Sequence, residues 1–170
     1  MIILKTSKGG GRGRGSLIIL KNKTMNKFIV YTDGASRGNP GPASIGIVIC
    51  DDKGKVLKEY SKEIGIASNN EAEYQAVIFA LKKLKALYGK KKIKDGEVEI
   101  RSDSQLLVSQ LNGKYKILDE KIQKLFIQVW NLKIDYGNLK FVLISREKNN
   151  LADKLANQAL DKENGSKTLF

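Results

Sequence analysis

Apolar residues recur along the chain in short runs whose period changes several times. Ile29, Val30 and Tyr31 form a β-branched and aromatic run that predicts a strand ending at Asp33. Gly34, Gly38, Pro40, Gly41 and Pro42 then punctuate a turn, and Ile45 to Ile49 resume as a second strand. "DDKG" reads as a hairpin turn into a third strand over 55–64, with period two through Val56, Leu57, Tyr60 and Ile64. Over 69–89 the pattern turns helical, with Asn69 or Asn70 as cap. Ala72, Gln75, Ala76, Phe79, Ala80, Lys83 and Leu84 lie along one side, widened by Val77, Ile78 and Leu81. "KKKIKDG" reads as a basic loop and "EVEIRS" as a fourth strand, running straight into a helix over 103–113. A further helix over 118–137 places Ile122, Leu125, Phe126, Val129 and Trp130 at core spacing. A fifth strand over 139–145 and a closing helix over 149–163 complete the pattern. The order predicts an α/β fold: a five-stranded mixed sheet, three antiparallel strands then parallel ones, with helices on both faces.

Composition narrows the chemistry. The chain has 170 residues, 41% hydrophobic and 29% charged, which suits one domain with a substantial core. Lys and Arg total 31 against 18 Asp and Glu, a formal charge of +13 that favours polyanion partners. Histidine is absent, so there is no imidazole base or imidazole metal ligand, and carboxylates are left as the main candidates. Cys50 is the single cysteine, which excludes an intrachain disulfide and reads as a small buried hydrophobe in a reducing, cytoplasmic setting. No apolar run approaches a membrane span, and a monomer is expected.

Four acidic residues fall at corresponding places in this pattern. Asp33 ends the first strand, Glu73 lies in the first turn of the first helix, Asp103 follows the fourth strand, and Asp153 lies in the first turn of the last helix. Singly, Asp33 could serve its turn and the others could answer a helix dipole. Together they point to the crevice where strand ends and helix starts meet in open α/β sheets. Clustered carboxylates repel unless cations bind between them, and an all-oxygen donor set suits Mg²⁺ or Mn²⁺.

Four motifs in combination resemble ribonuclease H of type 1: "YTDGASRGNPGP", "SNNEAEYQA", "SDSQLLVSQLNG" and "SREKNNLADKLAN", spanning roughly Lys27 to Leu160. The resemblance implies that fold, and hydrolysis of the RNA strand of RNA–DNA hybrids leaving 3′-hydroxyl and 5′-phosphate ends. It also implies that Asp33, Glu73, Asp103 and Asp153 are catalytic and hold two Mg²⁺ ions, or Mn²⁺. Asn39, Asn69, Asn70 and Gln105 would then reach sugars and base edges, and Ser68 a DNA-strand phosphate. The loop histidine many members carry has no counterpart; Arg146 stands there as a further catalytic candidate, for a guanidinium forks onto phosphate but offers no general base. The basic protrusion of some members is also missing, as in the family's compact branch, leaving Lys90–Lys94 or Lys114 and Lys116 to compensate. The alternatives are a related nuclease that also cuts double-stranded RNA, and a noncatalytic nucleic-acid binder.

The expected organisation is a flexible basic extension over 1–24, a catalytic domain over 25–164 and a tail over 165–170. The extension holds six basic residues and no acidic one around "KGGGRGRG", and either grips phosphates nonspecifically or is idle.

Overall fold

The computed structural model describes residues 27–167, with side chains as far as Asp161, so the expected 1–24 extension lies outside the described residues. The chain forms β1 (Lys27–Ser36), β2 (Gly41–Cys50), β3 (Val56–Ala67), α1 (Asn69–Tyr88) and α2 (Lys90–Asp95). It continues through β4 (Glu97–Ser102), α3 (Gln105–Leu111), α4 (Glu120–Lys133), β5 (Asn138–Leu143), a 3-10 turn (Arg146–Asn149) and α5 (Asn150–Lys167). The sheet is five-stranded in the order β3-β2-β1-β4-β5. Its first three strands are antiparallel, and β4 and β5 run parallel to β1. The carboxyl ends of β1, β4 and β5 therefore share one end of the sheet. No helix among the described residues is long and apolar enough to cross a membrane.

Strand alternation explains the two layers. Phe28 and Val30 of β1, Ile45, Ile47 and Ile49 of β2, and Val98 and Ile100 of β4 join one core with α1, α3 and α4. Ile29, Val48 and Cys50, on the opposite face, pack against Ala152 of α5. α5 lies across β1, β2 and β3. On β4 the residues between the core positions are polar and form an ion ladder: Lys27 bridges Glu97 and Glu99 at 3.0 and 3.2 Å, and Arg101 Nε meets Glu99 at 2.6 Å.

Several boundaries differ from expectation. β1 does not end at Asp33 but pairs with β2 through Ser36, with Asp33 opposite Gly46. The glycine that reads as a turn signal is used for close packing instead. A Cβ on Gly34 would lie 2.3 Å from the backbone of Ala72 and Glu73, so only glycine lets α1 press onto β1 there. Gly46 does the same for α5, since its Cβ would lie 2.0 Å from the Ala152 carbonyl oxygen. The "KKKIKD" stretch is a helix, α2, and not a loop. Buried Ile93 anchors it, and three of its four lysines are engaged locally. Lys90 pairs with Asp135 at 3.1 Å, Lys92 lies over the Phe28 and Tyr88 rings, and Lys94 Nζ donates to the Ile134 carbonyl at 3.2 Å. That cluster sits beside the amino ends of β1 and β4, away from the strand ends that carry Asp33 and Asp103. Trp130 is 56% exposed and so is not core; it stacks on Phe126 at 6.2 Å while Ile122 and Val129 turn inward. α5 runs to Lys167, three residues into the segment read as a tail.

Replacing Gly46 with alanine should cost about 1–3 kcal/mol, because the added methyl meets helix backbone that cannot rotate away. Urea denaturation measures this, and a loss below about 0.5 kcal/mol, the range of a neutral surface change, would contradict the close-packing role.

Candidate metal-dependent active site

The four acidic residues come from four separate elements. Asp33 is on β1, Glu73 on α1, Asp103 follows β4, and Asp153 is in the first turn of α5. Two close approaches flank the buried pair: α1 rides on Gly34 beside Glu73, and α5 rides on Gly46, the cross-strand partner of Asp33. Asp33 and Glu73 are buried, whereas Asp103 and Asp153 are partly exposed. Glu73 is the fifth residue of α1 and not in its first turn, because Ser68 caps the helix in place of Asn69 or Asn70. The Ser68 hydroxyl accepts from the Glu71 N–H at 3.2 Å, and Glu71 Oε2 accepts from the Ser68 N–H at 2.7 Å.

Electrostatics couple the four groups. Burial pushes Asp33 up from 3.8 to about 7, and the charges of Asp103 and Asp153 push the same way against Arg146 and the Gly34 N–H. Glu73 is held well above its ordinary range, by burial first and then by Asp33 and Asp103. Glu73 Oε2 is buried with no hydrogen-bond partner. Among the described residues no three such side chains stand as a ready-made metal cage. The donor set nevertheless fits a hard divalent cation: four carboxylates, one with an orphaned oxygen, and no nitrogen or sulfur ligand.

Two further side chains hold the periphery. Arg146, highly exposed in the 3-10 turn, has NH2 3.7 Å from Asp153 Oδ1. Asn149 is buried, and its Nδ2 donates to Asp103 Oδ1 at 2.6 Å and to the Thr32 carbonyl at 3.0 Å. Sequence reasoning missed Asn149, although the "NN" before α5 repeats the "NN" four residues upstream of Glu73 and was a usable signal.

The residues expected to meet substrate mostly face solvent. Asn39, Asn69, Asn70 and Gln105 are exposed, and Asn39 Oδ1 accepts from the Asn69 N–H at 3.2 Å, tying the β1–β2 loop to the start of α1. The Ser68 oxygen accepts the cap bond and its O–H is left to donate, beside a depression of about 330 Å³ lined by Pro40, Glu71, Asp119, Glu120 and Lys121. Of the two basic clusters, the 112–119 loop is the one on the carboxylate side. The Lys116 carbonyl accepts from Gln110 Nε2 at 3.3 Å, and Gln110 Oε1 accepts from the Tyr74 hydroxyl at 3.0 Å, next to Glu73. Burial pushes that hydroxyl up to about 12, keeping it a donor.

Comparison with known proteins points the same way. Residues 31–159 match the family model described as "Reverse transcriptase-like". A ribonuclease HI of Halobacterium salinarum is 39% identical over 152 residues, covering 89% of this chain and 73% of that protein. A bifunctional protein of Mycobacterium tuberculosis is 36% identical over 79% of the chain, which spans only 36% of that longer protein. LC11-RNase H1, isolated from compost, superposes with a TM-score of 0.77 at 49% identity, over 82% of this chain and 99% of that one. Its complex with an RNA/DNA hybrid gives 0.76 at 48%, over 80% and 98%.

Without metal, stability should fall as pH rises from about 4 to about 7. Asp33 titrates at 3.8 when unfolded and about 7 when folded, so the folded state holds the extra proton, and its stabilising effect is lost as pH climbs through the folded value. Mg²⁺ should then raise the melting temperature more at pH 8 than at pH 5. Scanning calorimetry at both pH values checks this, and equal shifts would contradict the coupling.

Proposed function

The chain belongs to the ribonuclease H family, whose members are generally dependent on divalent metal, and from that premise we propose that it is an endonuclease hydrolysing the RNA strand of RNA–DNA hybrids at the Asp33–Glu73–Asp103–Asp153 cluster. The observation that carries this reading is the coupling of those four carboxylates, two of them held protonation-prone by burial first and then by the others. Asp33 on the central strand would be shared between two cations, Mg²⁺ or Mn²⁺, with Glu73 and Asp103 completing one site and Asp153 the other. When bound, such ions supply a more acidic water and stabilise charge on the scissile phosphate and the departing 3′ oxygen. The products would be 3′-hydroxyl and 5′-phosphate ends.

The chain's own residues do the rest. Asn39, Asn69, Asn70 and Gln105 present exposed amides, each both donor and acceptor, which suits the 2′-hydroxyl that separates RNA from DNA. Ser68, whose oxygen caps α1, would turn its O–H to a DNA-strand phosphate. Arg146, beside Asp153 at the rim, would hold the phosphate with its guanidinium fork and release it after cleavage. Lys114 and Lys116 are exposed and would meet backbone phosphates in place of a larger basic handle.

Asp33→Asn should abolish cleavage of a labelled hybrid while leaving hybrid binding largely intact, since the amide keeps the shape but loses the charge. Activity within about tenfold of wild type, a barrier change of only about 1.4 kcal/mol, would sink the assignment. Asn69→Ala with Asn70→Ala should lower hybrid cleavage with an unchanged melting temperature, because Ser68 rather than either asparagine caps α1. An unchanged rate would leave the two amides without a part in recognition. Arg146→Ala should reduce turnover and Arg146→Lys recover part of it; equal rates for all three proteins would remove Arg146 from the reaction.

A further inference from the structure

Among the described residues two buried side-chain atoms lack a hydrogen-bond partner, Glu73 Oε2 and Asn149 Oδ1. The first belongs to the carboxylate cluster. The second needs its own explanation, because native structures rarely leave a buried acceptor unpaired. Asn149 is 1% exposed and lies at the end of the 3-10 turn, immediately before α5. Both groups it touches are acceptors, Asp103 Oδ1 at 2.6 Å and the Thr32 carbonyl at 3.0 Å. Only the amide nitrogen can serve both, so the orientation of the amide is decided by its partners. The oxygen is left unpaired as the consequence.

That geometry joins three elements. Thr32 precedes Asp33 on β1, Asp103 follows β4, and Asn149 leads into the helix of Asp153. We propose that Asn149 is a positioning residue of the metal-dependent site: its amide group straps Asp103 to the β1 backbone, so that this carboxylate is held in place before a cation arrives. Asparagine is a fitting choice, being a short neutral side chain with two N–H bonds on one atom. A serine has one such bond, and an aspartate would set an oxygen against two acceptors. The tolerated orphan oxygen is the cost of having both donors in that place. Asn149 touches no substrate in this role; it acts through Asp103. The inference rests on the proposed assignment of Asp103 as a metal ligand.

The test uses the full chain and Mg²⁺ as the probe. Asn149→Ala should weaken Mg²⁺ binding by isothermal calorimetry about tenfold or more, and lower kcat on a hybrid at fixed Mg²⁺ by a similar factor, in the range expected for a partner behind a ligand. KM for the hybrid should change little. Asn149→Asp should be worse than Asn149→Ala, because it adds a repelling charge beside Asp103. To separate positioning from general loosening, the same change is made on an Asp103→Ala background, where it should leave the Mg²⁺ affinity unaltered. Equal effects on both backgrounds, or a wild-type Mg²⁺ affinity in a folded Asn149→Ala protein, would overturn the proposal. A wild-type protein that cleaves no hybrid and binds no Mg²⁺ would instead remove the functional reading on which it stands.

Discussion

Burying carboxylates next to one another is the constraint on which the rest of this structure depends. Asp33 and Glu73 are both removed from water, and each resists ionisation more because of its acidic neighbours. A fold left to itself would separate them. Here two backbone contacts that only glycine permits hold the flanking helices close to them. The backbone of α1 at Ala72 and Glu73 rests on Gly34, and the backbone of α5 at Ala152 rests on Gly46, across from Asp33. Two helices pressed onto opposite faces of the same pair of strands therefore deliver the acidic residues to one end of the sheet. That proximity raises the proton affinity of Asp33 and Glu73 beyond what burial alone does.

The core supports that arrangement from below. Val30, Ile47, Val77, Leu81 and Ile100 are fully or almost fully buried and hold α1 against the sheet. Smaller polar links hold the rim: the Ser68–Glu71 capping pair, the Tyr74–Gln110–Lys116 chain, and Asn149 between Thr32 and Asp103. At the far end of the sheet, α2 and the Lys27–Glu97–Glu99 ladder settle charge locally. Basic residues near the site, by contrast, remain exposed. The positive excess is thus not uniform in use: part neutralises the protein's own acids, and part is free for a polyanion.

Much of this was legible in the sequence. Element order, sheet type and the places of the four carboxylates along the elements could be read because alternation and punctuation reveal elements, and because acids at strand ends and helix starts share a crevice in such folds. The misreadings share a cause, which is that local signals report conformation and not close contact. Gly34 reads as a turn former, yet its value is the missing Cβ under α1, and β1 runs on through it to Ser36. Asn69 and Asn70 are good caps by type, but the reciprocal Ser68–Glu71 pair outcompetes them and moves Glu73 to the second turn. Trp130 lies on the apolar period of α4, whose inward face is filled by Ile122 and Val129. Asn149 was overlooked because a buried amide has no periodicity, and its importance appears only once Thr32 and Asp103 are seen beside it.

The central claim is that Asp33, Glu73, Asp103 and Asp153 form one site for divalent cations at the scissile phosphate. Anomalous diffraction from crystals grown with Mn²⁺ and a hybrid carrying a noncleavable RNA linkage tests it most directly. Two anomalous peaks should appear, both in contact with Asp33, one also with Glu73 and Asp103 and the other with Asp153, and both beside the RNA-strand phosphate. Peaks elsewhere on the protein, or none at these carboxylates with the hybrid bound, would contradict the account.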